Sequence, residues 1–299
     1  MCVLQGSKLD KAAGYVFLIP WFLGFFLLNL VPLCMSLYYS FTNFSLLSTP
    51  TWCGFDNYVR LFTTDFHFKN AVRVTLTYVF TSVPLQLLFA LFLAFVLNKG
   101  IPGLAGLRAA FYIPSLLGGS VAITLLWRQI FGTDGILNSI LGSMGFEELA
   151  KTAWITDPDT AVWSLVLLRV WQFGSPMIIF LAGIKQIPSE IVEAAAIDGA
   201  GRLRQIWNVE IPILSPIILF NVVMQIISAF KLFTEAYMFG GQTGGVSDSL
   251  LFYTVLIYNE GFNKMRMGYA SALSWILLLM VSVFTIIAFR MSNKHVHYN

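Results

Sequence analysis

Residues 186–216 read QIPSEIVEAAAIDGAGRLRQIWNVEIPILSP, an island of charged and small residues between two long apolar runs. The alanine-rich stretch 191–197 favours helix and presents a smooth face that another surface can approach closely. Pro188 and Ser189 are typical of a helix start. Gly199 can end the helix at little cost in the left-handed conformation. The island therefore predicts a short helix, a sharp turn and a second short element before the chain re-enters apolar sequence.

The composition around this island is that of a membrane protein, since 57% of the 299 residues are hydrophobic and only 11% are charged. Six apolar runs reach the length of about 20 residues that a helix needs to cross a bilayer. We predict an all-α integral membrane protein with about six transmembrane helices, in which residues 1–299 form a single transmembrane domain. The predicted spans are 12–39, 74–98, 109–131, 160–184, 211–239 and 267–289, with the loop 185–210 between the fourth and the fifth.

Several kinds of chemistry are absent from the sequence. It contains no GxxxxGK[ST] phosphate loop, so the chain carries no P-loop ATPase of its own. His67, His295 and His297 are not spaced with cysteines or carboxylates as metal ligands, and no basic cluster favours nucleic acid. We therefore expect no enzyme, no catalytic residue, and neither a metal ion nor a cofactor bound by this chain.

Polar residues recur inside the predicted spans, where they are unfavourable unless they face protein or water. On the second span, Thr75, Tyr78, Ser82 and Gln86 fall within an arc of about 80° of an ideal helix. The fourth and fifth spans hold further polar and aromatic residues that could contact a solute: Arg169, Trp171, Gln172, Asn221, Gln225, Ser228, Phe230, Lys231 and Glu235. The polar residues of the fifth span lie within about 120° of one another.

Two interpretations of these membrane-embedded residues remain open at this point. They could hold helices together, with Lys231 and Glu235 as an ion pair one helical turn apart. Alternatively, they could line a hydrophilic path across the bilayer. We favour the path for the stripe as a whole, because a charged group at mid-membrane costs a few kcal/mol and a whole stripe of such groups calls for a compensating function.

The spacing inside the island carries a resemblance to a known family. Its motif residues are Glu193, Ala194, Ala195, Gly199, Val209, Ile211 and Pro212. This pattern resembles the EAA loop of ABC-importer permeases, with valine and isoleucine where the family pattern has isoleucine and leucine. The form EAAAIDGAG resembles the carbohydrate-uptake branch, and GFDNY after the first span and GYASALSW at the sixth resemble the same family. One departure is Gly244, Gly245 and Val246, where such permeases often have Gly-Gly-Pro.

This resemblance to the first of the two permeases in maltose-type importers implies a type I ABC importer permease fold with a cytoplasmic coupling helix. It implies a role in ATPase coupling for Glu190, Glu193, Ala194, Ala195, Asp198, Gly199 and Pro212, and a role in substrate binding for the polar candidates of the fourth and fifth spans. A sugar suits that path, since its hydroxyls bind polar side chains and its C–H faces stack on rings such as Trp171 and Phe230. The implied mechanism is import of a sugar or oligosaccharide by alternating access.

The implied partners are a second homologous permease, a cytoplasmic ABC ATPase dimer that holds ATP and Mg²⁺, an extracytoplasmic solute-binding protein and the sugar itself. The implied location is a bacterial or archaeal cell membrane, with both termini cytoplasmic. A count of lysine and arginine agrees modestly with this orientation. The inside holds Lys8, Lys11, Lys99, Arg108, Lys185, Arg202, Arg204, Arg290 and Lys294, whereas the outside holds Arg60, Lys69, Arg73, Arg128, Lys151, Lys264 and Arg266.

Two other classes of function stay open on the sequence. An ion-coupled secondary transporter would use Arg169, Lys231 or Glu235 for ion coupling, and an uncoupler would then stop transport while ATP depletion would not. A structural or signalling membrane subunit would bind an ATPase or a sensor without moving solute. The EAA loop disfavours the first class, and the polar stripes disfavour the second.

Overall fold

The computed structural model describes residues 8–98 and 104–292. The described residues form helices joined by turns, with isolated β bridges at Thr42 and Ser45 but no strand among them. The predicted all-α class is therefore confirmed. Lys99, Lys294, His295 and His297, which the sequence analysis named, lie outside the described residues.

Sixteen α-helices run through the described part of the chain. They are α1 (Lys8–Phe25), α2 (Val31–Ser40), α3 (Asp56–Thr63), α4 (Phe66–Leu97), α5 (Leu104–Leu117), α6 (Val121–Ile130), α7 (Ile136–Ser143), α8 (Glu147–Ala150), α9 (Ala161–Trp171), α10 (Gly174–Ile184), α11 (Ser189–Ile197), α12 (Arg202–Gln205), α13 (Ile211–Phe230), α14 (Thr234–Gly240), α15 (Tyr253–Tyr258) and α16 (Met267–Ser292). The π-helical segments Phe26–Leu30 and Ile206–Glu210 join α1 to α2 and α12 to α13, so each of these pairs continues as one helical rod.

Four helical segments are long and apolar enough to cross a membrane: Phe17–Ser40, Phe66–Leu97, Arg202–Gly240 and Met267–Met291. Two bent pairs reach the same length and composition only together, α5 with α6 at 98° and α9 with α10 at 42°. If each bent pair crosses once, the described chain crosses six times. This agrees with the predicted number of spans.

The bends show where the predicted spans differ from the observed helices. The predicted third span at 109–131 is two helices, because Gly118 and Gly119 favour helix weakly and Ser120 caps the next helix by accepting a hydrogen bond from the Ile123 amide at 3.3 Å. The predicted fifth span at 211–239 begins earlier, at Arg202, and is interrupted between α13 and α14.

Contacts between Cα atoms divide the chain into two compact units. Of the described residues, the first unit holds 8–64 and 260–275, and the second holds 65–98, 104–259 and 276–292. In the first unit Gly268 makes a close backbone approach, since its amide donates to the Phe44 carbonyl at 2.9 Å and a Cβ there would lie 2.0 Å from the Thr42 carbonyl oxygen. Only glycine fits at that position.

In the second unit α4 is central, packed by α9, α10, α13 and α15. Its polar stripe, Thr75, Tyr78, Ser82 and Gln86, is buried. The prediction that this stripe faces protein or water is therefore confirmed, and the structure shows that it faces protein. One residue of the stripe joins two helices: the Thr75 hydroxyl accepts a hydrogen bond from the Tyr253 amide at the start of α15, at 3.0 Å.

Candidate functional site

Of the EAA motif residues, Glu193, Ala194 and Ala195 lie on the nine-residue helix α11, and Gly199 lies in the turn after it. None of the residues of α11 is buried within the described structure, and Ile197 at its end is 87% exposed. The helix contacts α12 and the segment Ile206–Glu210, which hold one side of it. An apolar helix surface this open is typical of a surface that another protein covers.

The predicted end of α11 is confirmed in detail. Gly199 has φ +81°, in the left-handed region. Its amide donates to the Ala196 carbonyl and the Ala200 amide to the Ala195 carbonyl, both at 3.0 Å. This pair of bonds is a Schellman motif, which satisfies the last carbonyls of a helix and turns the chain sharply. Gly201 has φ −63° and is not part of this turn.

The start of α11 differs from the prediction. Pro188 occupies the cap position, with φ −58° and ψ 129°, and Ser189 is the first helical residue. The Pro188 carbonyl accepts the Ile191 amide at 3.2 Å. Glu190 and Glu193 then lie exposed in the first two turns, where carboxylates favour the positive end of the helix dipole.

An ion pair anchors the chain that follows the turn. The Arg202 guanidinium donates to the Glu210 carboxylate with both terminal nitrogens and also to the Gln205 side-chain oxygen at 3.4 Å. Gln205 in turn donates to the Ala200 carbonyl at 2.8 Å. Glu210 is buried, whereas Arg202 is about half exposed. These bonds tie the turn after α11 to the start of the fifth span.

A cleft of about 390 Å³ lies beside α11. Charged groups of both signs line it, from Lys185 and Arg202 on one hand and Glu193 and Glu210 on the other. The structure thus places Glu193 near the anchoring ion pair. The remaining predicted coupling residues are Ala194 and Asp198, which are exposed, and Ala195 and Pro212, which are half-buried.

Among the predicted substrate residues, the structure brings Arg169, Gln225 and Ser228 together. Arg169 on α9 is only 6% exposed. Its guanidinium donates to the Gln225 side-chain oxygen at 2.7 Å, to the Gln225 carbonyl at 3.2 Å and to the Ser228 hydroxyl at 3.5 Å. The partners are uncharged and Ser228 is exposed, so this cluster presents hydrogen-bonding groups at an accessible edge of α13.

Gln172 and Trp171 lie at the bend between α9 and α10. The Gln172 carbonyl, which the bend frees from the helix, accepts bonds from the Gln86 amide at 2.8 Å and the Ser115 hydroxyl at 2.9 Å. The Trp171 ring meets Trp127 edge to face, with centroids 5.4 Å apart. Side chains of two other helices therefore supply the hydrogen bonds that the Gln172 carbonyl needs at the bend, as buried main-chain groups require.

The other predicted substrate residues do not join this cluster. Asn221 is buried and donates to the Ile217 carbonyl of its own helix at 3.1 Å. Phe230 is buried and stacks on Phe284 with centroids 5.5 Å apart. Lys231 is exposed at the break after α13, whereas Glu235 is buried at the start of α14. Among the described residues no ion pair joins Lys231 to Glu235, because the helix that would set them one turn apart is interrupted between them.

The sequence interpretation missed Glu210 and Ser115. A signal for Glu210 was available, since an acid directly before an apolar run and eight residues after an arginine can be expected to need a partner. Ser115 gave no such signal, because its partner carbonyl at Gln172 is exposed by a bend 57 residues away.

Comparison with known proteins shows which family the chain resembles. Residues 68–295 match the sequence model of the family described as binding-protein-dependent transport system inner membrane component. The chain is 46% identical over 294 residues to the probable ABC transporter permease protein YesP of Bacillus subtilis (strain 168), covering 98% of this chain and 94% of that one. It is 31% identical to the multiple sugar-binding transport system permease protein MsmF of Streptococcus mutans serotype c, covering 96% and 97%.

The fold is shared with a solved structure. A bacterial alginate ABC transporter, crystallised in complex with an alginate pentasaccharide-bound periplasmic protein, contains a chain that superposes with a TM-score of 0.79 at 20% identity over 95% of both chains. The predicted type I ABC importer permease fold is therefore confirmed. The extent of the family match and the relative that shares almost half of its residues lead to one conclusion: the chain belongs to the binding-protein-dependent transport system inner membrane components, as a multi-pass ABC transporter permease subunit and not an enzyme.

Proposed function

We propose that this permease imports a sugar or oligosaccharide by alternating access, driven by a separate ATPase that docks on α11. The observation that carries the proposal is α11 itself, a helix with the EAA spacing whose residues are all at least partly exposed and whose end is fixed by the Schellman turn at Gly199. A helix that transmits movement from an ATPase to the membrane spans needs both an exposed docking surface and a rigid connection to those spans. The Arg202–Glu210 pair lies at the start of the fifth span, and Gln205, which the same arginine contacts, bonds to Ala200 in the turn after α11.

The proposed substrate class rests on the site and on the relatives. MsmF is named for a multiple sugar-binding transport system, and other permeases that this chain resembles are named for arabinooligosaccharides and for lactose. The cluster brings together a buried guanidinium, an amide and the exposed Ser228 hydroxyl, which are groups that suit sugar hydroxyls. The cluster lies where the fourth and fifth spans meet.

The proposed assembly contains a second homologous permease, an ATPase dimer that binds ATP and Mg²⁺, and an extracytoplasmic binding protein that delivers the solute. This chain then binds no cofactor of its own. Both termini and α11 lie on the cytoplasmic side in this arrangement, in agreement with the modest excess of lysine and arginine there. The alginate transporter structure, which holds a periplasmic binding protein, supports the external partner.

Affinity purification of the tagged chain in mild detergent, followed by mass spectrometry, tests the assembly. We expect one P-loop ATPase and one further six-span permease to copurify, and washing at moderate ionic strength to leave both bound. Recovery of the chain alone or as a homo-oligomer would refute the proposed coupling and favour ion-driven transport through Arg169, Lys231 or Glu235. Uptake that survives ATP depletion but stops with an uncoupler would lead to the same reversal.

The anchoring pair gives a prediction of intermediate size. Arg202→Ala leaves the Glu210 carboxylate buried without its charged partner, which we expect to destabilise the second unit by about 1–2 kcal/mol, less than for a fully buried pair because Arg202 is half exposed. Uptake should fall because Gln205, which bonds to Ala200 in the turn after α11, loses its contact with Arg202. Thermal unfolding of the purified protein and uptake by cells measure the two effects.

Arg204→Ala is the matched control for this prediction, since Arg204 lies on the same short helix, is exposed, and forms no ion pair in the described structure. The double variant Arg202→Ala/Glu210→Gln removes both charges and should recover part of the lost stability. Equal effects of Arg202→Ala and Arg204→Ala would show that the pair does not anchor α11.

A further inference from the structure

The short helix α3 in the first unit has three distinct faces. On a helical projection Phe55, Val59 and Phe62 lie within about 60° of one another, and they are 68%, 57% and 56% exposed. The opposite face is buried, with Asn57 and Leu61 packed against the protein. The exposed polar residues Asp56, Arg60 and Thr63 form a third face.

The position of α3 is fixed by the end of the first membrane span. The Asn57 side-chain amide donates to the Ser40 and Thr42 carbonyls, both at 3.0 Å. The Tyr58 hydroxyl donates to the Ser40 hydroxyl at 2.8 Å. Ser40 is the last residue of the apolar segment Phe17–Ser40. The bonds therefore hold α3 beside the end of this apolar segment.

The residues between the span and α3 are those of a membrane–water interface. Trp52 is exposed, and its ring stacks on Phe41 at 5.7 Å and lies 6.1 Å from the exposed Tyr38. Phe41 also meets Phe55 edge to face at 5.3 Å. Tryptophan and tyrosine are enriched where one side of a ring meets hydrocarbon and the other meets water.

The polar face of α3 holds Asp56, Arg60 and Thr63, all of them exposed. Arg60 lies over the Tyr269 ring, with its guanidinium carbon 4.8 Å from the centroid. Asp56 and Thr63 are exposed beside it. A helix with an apolar stripe, a polar stripe and a place at the end of a span has the features of one that lies in the plane of the interface.

We propose that α3 is an interfacial helix, with Phe55, Val59 and Phe62 inserted into the acyl region of the lipid leaflet that surrounds the end of the first span. The occupant of this apolar face is lipid and not a partner protein, because the face continues the exposed aromatic surface of Tyr38 and Trp52 at the span end. The helix thereby fixes the depth of the first span in the bilayer. This inference does not depend on which solute is transported.

Spin labels in the assembled transporter, reconstituted in vesicles of phosphatidylethanolamine and phosphatidylglycerol, test the proposal. Cys2, Cys34 and Cys53 are first replaced by serine, and single cysteines are then introduced by Val59→Cys and Phe62→Cys, with Asp56→Cys as the matched control. Collision rates with oxygen, which concentrates in lipid, and with a water-soluble nickel chelate are measured at each site. Retained uptake shows that each labelled transporter is folded.

We expect the ratio of oxygen to nickel collisions to be several-fold higher at Val59 and Phe62 than at Asp56. High nickel collision rates at all three sites would overturn the proposal in favour of a water-exposed helix. Low rates with both reagents at Val59 and Phe62 would overturn it in favour of a covering protein. Photo-crosslinking from benzoylphenylalanine at position 62 is a second measurement that needs no cysteine replacement: an adduct of phospholipid mass supports the proposal, and an adduct of polypeptide mass refutes it.

Discussion

Gly199→Leu is expected to abolish solute uptake while the protein still inserts in the membrane at normal abundance. Gly199 has φ +81°, a conformation that costs a residue with a Cβ about 1–2 kcal/mol. The Schellman turn that ends α11 would be strained, and the orientation of α11, the proposed coupling helix, would change. A Cβ at Gly199 meets no atom of the described chain within 4 Å. A leucine there would therefore project outward, into the space of the proposed ATPase. Uptake of labelled solute and copurification of the ATPase measure the effect.

Two smaller substitutions at Gly199 distinguish the effect of backbone strain in the turn from the effect of side-chain volume. Gly199→Ala adds strain with little volume, whereas Gly199→Asn adds volume but tolerates the left-handed conformation. If the turn matters most, Gly199→Asn keeps more uptake than Gly199→Ala, and the reverse order shows that close approach to the ATPase matters most. Normal uptake by Gly199→Leu would refute the role of α11 in coupling.

Arg169→Leu is expected to have the second large effect, a rise in the apparent KM for sugar uptake of about tenfold to 100-fold. Hydrogen bonds from a charged donor contribute about 1.5–3 kcal/mol, and each 1.4 kcal/mol is a factor of ten. The substitution also frees Gln225 and Ser228, which Arg169 now holds. Uptake by cells as a function of sugar concentration gives KM and the maximum rate separately.

The controls for Arg169 distinguish substrate contact from helix packing. Arg169→Lys keeps the charge but cannot donate to Gln225 and Ser228 in the same fixed geometry. If Arg169 contacts substrate, Arg169→Lys raises KM and leaves thermal unfolding of the purified protein near that of the parent. If Arg169 only holds α9 to α13, both variants lower the unfolding temperature and reduce the maximum rate with KM unchanged. The second outcome would remove Arg169 from the proposed sugar site.

Features set by local sequence were the ones that could be predicted. Gly199 was identified as the left-handed end of α11 because few other residues adopt that conformation cheaply, and the structure confirms it. Helical spacing alone predicted that the polar stripe of α4 faces protein or water, and the structure shows it buried against protein. Both inferences use only neighbouring residues.

Features set by contacts between distant helices could not be predicted. The bend at Gln172 depends on Gln86 and Ser115, which satisfy the carbonyl that the bend frees. The break at Lys231 shows that the fifth span is not one continuous helix, on which the alternative of an ion pair between Lys231 and Glu235 depended. Phe230 is an aromatic residue of the type that stacks on sugars, but it is buried against Phe284. That contact joins two helices distant in sequence, so the sequence did not predict it.

The bond between Arg169 and Gln225 has a consequence for biogenesis. Arg169 leaves the ribosome 56 residues before Gln225, so α9 is complete while the chain that satisfies its guanidinium is still being made. An arginine at the centre of a lone helix disfavours entry into lipid by about 2.5–3.5 kcal/mol. We therefore expect the fourth span to be retained at the translocon until α13 emerges, and the two spans to enter the bilayer as a pair.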